Sequence, residues 1–118
     1  DTVPSQGKTN NPTLKIYPSG LILLNKPLCE RIKFILSKKR KVSFHQDADD
    51  PRTWFISKDE NGFELRDIKD GTWGINRVSL VKTMQEAAGT DAALKCLVQP
   101  IPVEFNKQQY FRFILPKS

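Results

Sequence analysis

The chain has 118 residues, of which 38% are hydrophobic and 27% are charged, and its formal net charge is +6. Its length fits one domain with one core, and its composition excludes an intrinsically disordered chain. No apolar run approaches the roughly 20 residues that a membrane-spanning helix needs, so we expect no membrane partner.

Residues 1–13 lack hydrophobic periodicity and are predicted to form a flexible tail before a single domain at 14–118. Within 14–24, two apolar segments flank a turn at 18–20, which predicts a strand, a turn and a second, buried strand. Asn25 is a good helix N-cap, and Pro27 suits the first turn of a helix. Apolar residues at helical spacing then predict a short helix over about 27–36.

The middle of the chain alternates between apolar and polar residues, which predicts strands at 42–44 and 54–56 around a polar loop. Asn61-Gly62 matches a type I′ turn, so we predict a two-residue hairpin that joins strands containing Ile56 and Phe63. Asp70-Gly71 predicts another tight turn before a strand at 72–77. Together these elements predict an antiparallel meander.

A second helical pattern opens at Val78 and stops at Gly89, and a short helical stretch is predicted over 91–97. A final hairpin is predicted between strands at 103–105 and 110–114. The predicted fold class is therefore α+β, with two helices and mainly antiparallel twisted sheet, in one sheet or two. The segments 14–58 and 72–116 share an order of strand, helix and two strands, so a tandem βαββ pseudo-repeat is a hypothesis.

The sequence carries no recognisable catalytic, metal or cofactor motif. Cys29 and Cys96 fit no zinc spacing and are predicted to be reduced and unpaired, as is typical of a cytoplasmic protein. The only histidine, His45, has no nucleophile motif beside it. The acidic loop at 47–52 lacks the glycine and the glutamate of a calcium loop, and no Gly-rich phosphate loop is present. We therefore predict a binding module without metal or cofactor, rather than an enzyme.

The excess positive charge is confined to the first half of the chain. Residues 1–58 hold eleven Lys and Arg against five Asp and Glu, whereas residues 59–118 hold eight of each. Such asymmetry favours a polyanionic partner, and a solvated basic turn that keeps the protein soluble is the alternative. The predicted nucleic-acid contacts are Lys26, Arg31, Lys33, Lys38, Lys39, Arg40, Lys41, Trp73 and Arg77.

Aromatic residues on predicted strands would be stacking platforms for bases where their rings are exposed, and core packing is the alternative for each ring. These residues are Tyr17, Trp54, Trp73 and Tyr110. Strand alternation predicts that Trp54 and Phe55 point to opposite faces. The glycine next to Trp73 favours it as the more exposed of the two tryptophans.

Residues 14–58 resemble the swapped-hairpin DNA-binding domain of AbrB-type regulators. The shared outline is strand, Gly, apolar strand, short helix, charged turn and two strands, here KIYPSGLILLNKPLCERIKFILSKKRKVSFHQD followed by WFISK. This resemblance implies a β-rich homodimer in which basic residues contact DNA. Two positions depart from the pattern: Asn25-Lys26-Pro27 replaces the usual Ile/Leu-Pro step, and the basic turn lacks the usual Gly-Asp.

The whole chain is also similar in outline to Whirly and positive-cofactor-type single-strand binders, which are curved antiparallel sheets backed by helices. Its element order departs from theirs, because here a helix follows only two strands. We thus predict a basic DNA-binding module, a transcriptional regulator or a single-strand binder, with its strand preference left open. The alternatives are a protein–protein interaction domain of a phage or mobile element, and an enzyme of unrecognised type. A positive sheet face would favour nucleic acid, whereas an uncharged apolar patch would favour a protein partner.

Overall fold

The structure, a computed structural model, describes residues 11–33 and 39–116. The elements within these residues are, in chain order, β1 (Thr13–Ile16), β2 (Leu21–Leu24), α1 (Lys26–Ile32), β3 (Lys41–Gln46), β4 (Thr53–Lys58), β5 (Phe63–Glu64), β6 (Arg66–Lys69), β7 (Thr72–Asn76), α2 (Val78–Ala88), β8 (Leu94–Leu97), β9 (Val103–Phe105) and β10 (Gln108–Ile114). Neither of these two helices is long and apolar enough to cross a membrane.

The strands form two antiparallel five-stranded sheets that enclose one core. Sheet one has the order β9-β10-β4-β3-β5, and sheet two has the order β6-β7-β2-β1-β8. Apolar residues from the inner faces of both sheets and from both helices pack into one cluster, because successive side chains of a strand point to opposite faces of its sheet. The predicted α+β class with antiparallel sheets and two helices is confirmed.

The first helix begins where the sequence predicts, because Asn25 caps it. The Asn25 Oδ1 atom accepts hydrogen bonds of 3.0 Å from the backbone N–H groups of Leu28 and of Thr13. Its Nδ2 atom donates to the Asn11 carbonyl at 2.9 Å. Residues 11–13 are therefore tied to the domain, and the predicted tail boundary at residue 13 is too late. Helix α1 is assigned as Lys26–Ile32, and the end predicted near residue 36 lies outside the described residues.

The predicted hairpin at Asn61-Gly62 is wrong. Strand β5 pairs with β3 rather than with β4, so the chain crosses the end of β3 and continues along its other edge. A turn from Asp59 makes this crossing: the Gly62 N–H donates to the Asp59 carbonyl at 2.9 Å, and neither Asn61 nor Gly62 has a positive φ. A Cβ atom on Gly62 would lie 2.1 Å from the Val42 carbonyl oxygen, so glycine is needed here for close approach.

The crossing also makes the predicted meander wrong, because β6 and β7 belong to sheet two. Two other tight turns have the positive φ pairs of a type I′ hairpin. Asp70 and Gly71 have φ of 49° and 84°, which confirms the turn predicted before β7. Asn106 and Lys107 have φ of 52° and 64° between β9 and β10, so the predicted final hairpin is confirmed with a two-residue loop.

The C-terminal elements are predicted only in part. Helix α2 spans Val78–Ala88 and ends at Gly89, whose φ of 76° is the left-handed cap that the sequence predicts. The helical stretch predicted over 91–97 is wrong, because Leu94–Leu97 forms strand β8. Leu94 and Cys96 alternate into the core and pair with β1, so tertiary pairing decides the structure of this short segment.

Both cysteines are free and buried in the core, which confirms that they are unpaired. Burial disfavours the thiolate, and it raises the pKa of both Cys29 and Cys96 to about 12. The two thiols are therefore poor nucleophiles at neutral pH.

The two halves of the chain meet in the middle of each sheet. Each half supplies a hairpin, a helix and another hairpin: β1–β2, α1 and β3–β4 in the first, and β6–β7, α2 and β9–β10 in the second. Strand β2 pairs with β7, and β4 pairs with β10. The second half also adds β5 and β8 to the outer edges of β3 and β1. The tandem repeat itself stays a prediction.

Candidate nucleic-acid interface

Two residues of the predicted interface, Arg40 and Trp73, contact each other. The Arg40 guanidinium lies 4.8 Å from the centre of the Trp73 ring and donates hydrogen bonds of 2.9 and 3.4 Å to the Asp67 carboxylate. Arg40 is half-buried, so a fully solvated basic turn is wrong for this residue. One face of the Trp73 ring is covered by an internal cation, which makes it a poor stacking platform.

The remaining predicted contacts are spread over several surfaces. Lys26 and Lys33 are seven residues apart on one flank of α1, whereas Arg31 projects from another flank of the same helix. Lys26 also approaches the turn at Gly71. Lys39 is exposed, and Lys41 is paired with Glu64 on sheet one. The Arg77 guanidinium lies 4.9 Å from the centre of the Phe63 ring. Lys38 lies outside the described residues. Their role in binding stays a prediction.

Replacing Arg40 by glutamine is expected to lower the free energy of unfolding by about 1 kcal/mol at neutral pH, because a partly buried cation–π contact is worth about that much. Urea denaturation measures this loss. The matched control is Arg77→Gln, which removes the cation above the Phe63 ring at a more exposed position and should cost less. Equal losses for the two variants would contradict a structural role for Arg40.

The contribution of the Arg40–Asp67 pair depends on pH in a defined direction. The hydrogen bonds from Arg40 hold the pKa of Asp67 below its usual value of 3.8. Stabilisation by the pair is therefore complete above that usual value and is lost as the pH falls through the lowered folded-state pKa. The difference in free energy of unfolding between the natural protein and Arg40→Gln should accordingly become smaller as the pH is lowered into this range.

The aromatic residues divide between the core and the surface as strand alternation predicts. Trp54 is only 3% exposed and packs in the core, so it is not a stacking platform. Phe55 points to the opposite face of β4 and is half-buried, as are Tyr17, Trp73 and Tyr110. Trp73 is therefore the more exposed of the two tryptophans, as predicted.

Three cations that the sequence does not single out as a group form a row across the outer face of sheet two. Cross-strand neighbours share a face, and Lys95 of β8, Lys15 of β1, Leu23 of β2, Gly74 of β7 and Arg66 of β6 are paired in that order. We call Lys15, Arg66 and Lys95 the cationic row. All three side chains are exposed.

Among the described strand residues of sheet two, no carboxylate shares the face of the cationic row. The five strands of sheet two contain a single carboxylate, Asp67, which is paired with Trp73 on the inner face and bound to Arg40. None of the three cations makes an ion pair with a described residue. Lys15 and Lys95 are direct cross-strand neighbours, an arrangement of like charges that destabilises a sheet. Positions that break such a local rule tend to be functional.

The outer faces of the two sheets become continuous beside Lys95. Val98 follows β8 and bridges to Phe113 of β10, and the Gln99 N–H donates to the Arg112 carbonyl at 2.8 Å. A groove of about 560 Å³ follows this junction, which we call the seam groove. Its lining includes Lys95, Leu97, Ile114 and three prolines, Pro12, Pro100 and Pro116. A ligand on the cationic row could therefore continue onto sheet one.

Charge counting along the chain misses the cationic row, because only Lys15 belongs to the basic first half. Arg66 and Lys95 come from a half of zero net charge, and sheet pairing alone brings them next to Lys15. One signal in the sequence could have found Lys95. If 94–97 is read as a strand, Lys95 lies between the apolar Leu94 and Cys96 and must point to the opposite, outer face. Among the described residues, no group of His, Cys, Asp or Glu side chains could hold a metal ion.

Comparison with models of protein families, with curated proteins and with solved structures finds no match. The resemblances to AbrB-type domains and to single-strand binders therefore stay predictions.

Proposed function

We propose that this domain is a nucleic-acid-binding module, not an enzyme, and that the cationic row contacts the phosphate backbone. The observation that carries the proposal is three exposed cations on a sheet face where the described strand residues include no carboxylate. A polyanion would relieve the repulsion between Lys15 and Lys95, and it would release counterions in doing so. The two buried free thiols fit a protein of the reducing cytoplasm, which is part of the same proposal.

The proposal is tested by fluorescence-anisotropy titration of labelled single- and double-stranded oligonucleotides over a salt series. If the three cations supply the contacts, log K should fall linearly with log salt, with a slope of about −2 for single strands and nearly −3 for duplex. No binding at about 50 mM salt, or an affinity that does not depend on salt, would exclude the proposal.

A protein partner is the second candidate, because several large apolar side chains are exposed near the C-terminal end of the chain. They are Leu97, Ile101, Val103, Phe105 and Ile114, of which Ile101 is 76% and Leu97 65% exposed. Part of this surface borders Lys95 in the seam groove, so the patch carries a positive charge at this border. Sedimentation of the purified protein separates the candidates, since self-association through this patch should strengthen rather than weaken with salt.

A further inference from the structure

Three rings meet on the outer face of sheet one. The Tyr110 ring centre lies 5.6 Å from that of His45 and 6.3 Å from that of Phe55, at interplanar angles of 72° and 84°. Tyr110 of β10 thus contacts one ring from β3 and one ring from β4. We call His45, Phe55 and Tyr110 the ring notch.

The ring notch is held in place by hydroxyl groups beneath it. His45 Nε2 is 3.0 Å from both Ser43 Oγ and Ser57 Oγ, so two hydrogen-bond contacts fix the orientation of the imidazole. Ser57 is opposite Tyr110 on the same face of the sheet, yet it is fully buried. The rings therefore cover the serine and are ordered before any ligand arrives, which lowers the entropic cost of binding one.

A cation that has no hydrogen-bond or ion-pair partner among the described residues borders the ring notch. Arg112 is the cross-strand neighbour of Phe55, and its guanidinium makes no hydrogen bond or ion pair with any described residue. The strand residues on this outer face include one carboxylate, Glu64, which is paired with Lys41 at the far edge. The face around the rings is thus aromatic and positive, which complements a ligand with flat rings and negative charge.

The ring notch and the cationic row lie on one continuous surface. Arg112 is next to the junction where Gln99 pairs with β10, and Ile114 lines the seam groove together with Lys95. An extended chain that runs along the cationic row would pass through the seam groove and reach Arg112 and then the rings. A rigid duplex would not follow this path around the edge of two sheets, and its bases would be inaccessible to the rings.

We propose that this surface binds a single-stranded nucleic acid, with unpaired bases stacked in the ring notch and phosphates held by Arg112 and the cationic row. The inference rests on the proposed function and adds the strand preference to it. Stacking on aromatic side chains needs no particular base, so binding depends on exposed bases and little on their sequence.

The test compares three ligands with the same number of phosphates: an oligothymidylate of roughly 16 nucleotides, an abasic strand of the same length, and a short duplex. The natural protein should bind oligothymidylate on the order of tenfold or more tighter than the abasic strand. The double variant Phe55→Leu/Tyr110→Leu keeps apolar cover over Ser57 and removes two of the three flat rings, leaving His45. It should lose most of the preference for bases while its binding to the abasic strand and to the duplex is unchanged.

The matched control is Phe44→Leu, which removes a half-buried ring from the inner face of β3, where it packs edge-on against Phe113. This variant should keep the preference for bases. Equal binding of oligothymidylate and abasic strand by the natural protein would overturn the inference, and this comparison does not depend on the folding of any variant. Duplex binding would then leave the proposed function standing, whereas no binding to any ligand would end both proposals. Self-association that the double variant abolishes, without a preference for bases, would make the ring notch a protein interface instead.

Discussion

Replacing Lys15, Arg66 and Lys95 together by glutamine is expected to weaken binding to a single-stranded oligonucleotide on the order of a hundredfold or more at about 50 mM salt. Each lost phosphate contact should flatten the slope of log K against log salt by about 0.7 for a single strand and about 0.9 for a duplex. The variant should be at least as stable as the natural protein, because the repulsion between Lys15 and Lys95 is removed. Anisotropy titration and urea denaturation measure the two effects separately.

The matched variant removes the same charge from the interface that the sequence predicts, by changing Lys26, Arg31 and Lys39 to glutamine. A smaller change in affinity and slope for this variant would support the cationic row. An equal loss for both variants would mean that only net charge matters. If only the variant at Lys26, Arg31 and Lys39 lost affinity, the interface would lie on the basic first half of the chain and not on the cationic row.

Gly62→Ala is expected to destabilise the fold by about 3 kcal/mol or more, the upper range for a side chain forced into filled space. The added methyl carbon would lie 2.1 Å from the carbonyl oxygen and 2.6 Å from the carbonyl carbon of Val42, and both are backbone atoms that cannot rotate away. Relief requires β3 to move or the crossing to open, and either change disturbs the pairing of Phe63 with Val42. Urea denaturation followed by circular dichroism measures the loss.

Gly71→Ala is the matched control for this steric effect. Gly71 has a left-handed φ of 84°, but its nearest neighbours are Lys26 side-chain carbons at 3.4 to 3.6 Å. An alanine there should cost only the roughly 1–2 kcal/mol of a left-handed backbone. If Gly62→Ala were no more harmful than Gly71→Ala, the chain crossing over β3 would be in doubt.

Local signals in the sequence predict most of the elements and fail where a distant strand decides the outcome. Asn25, Gly89 and Asp70-Gly71 act within a few residues of themselves, so their caps and turn are readable without the fold. Asn61-Gly62 has the composition of a type I′ turn, but the side chain and carbonyl of Asp59 and the proximity of Val42 give it a different conformation. The partner of Leu94–Leu97 is β1, which lies some eighty residues earlier in the chain.

The candidate site is likewise predictable where it depends on composition and unpredictable where it depends on strand pairing. The basic character and the presence of aromatic residues on strands are properties of composition, and both are visible in the sequence. The grouping of Lys15 with Lys95 and Arg66 depends on cross-strand register, which no local pattern contains. For Arg40 the sequence predicts a free surface cation, whereas the structure places it against Trp73 and Asp67. A run of basic residues does not indicate that one of them makes internal contacts.

The way in which the second half surrounds the first has a consequence for folding during synthesis. Among the described strands, the four of the first half are all interior, and the sheet edges are formed by β5, β6, β8 and β9 of the second half. As the N-terminal half leaves the ribosome, its strands therefore lack the neighbours that will satisfy their backbone groups. Such unpaired edges are prone to aggregate until they are covered. The domain should thus acquire protection from proteolysis and hydrogen exchange only after β10 has emerged, in one late and cooperative step.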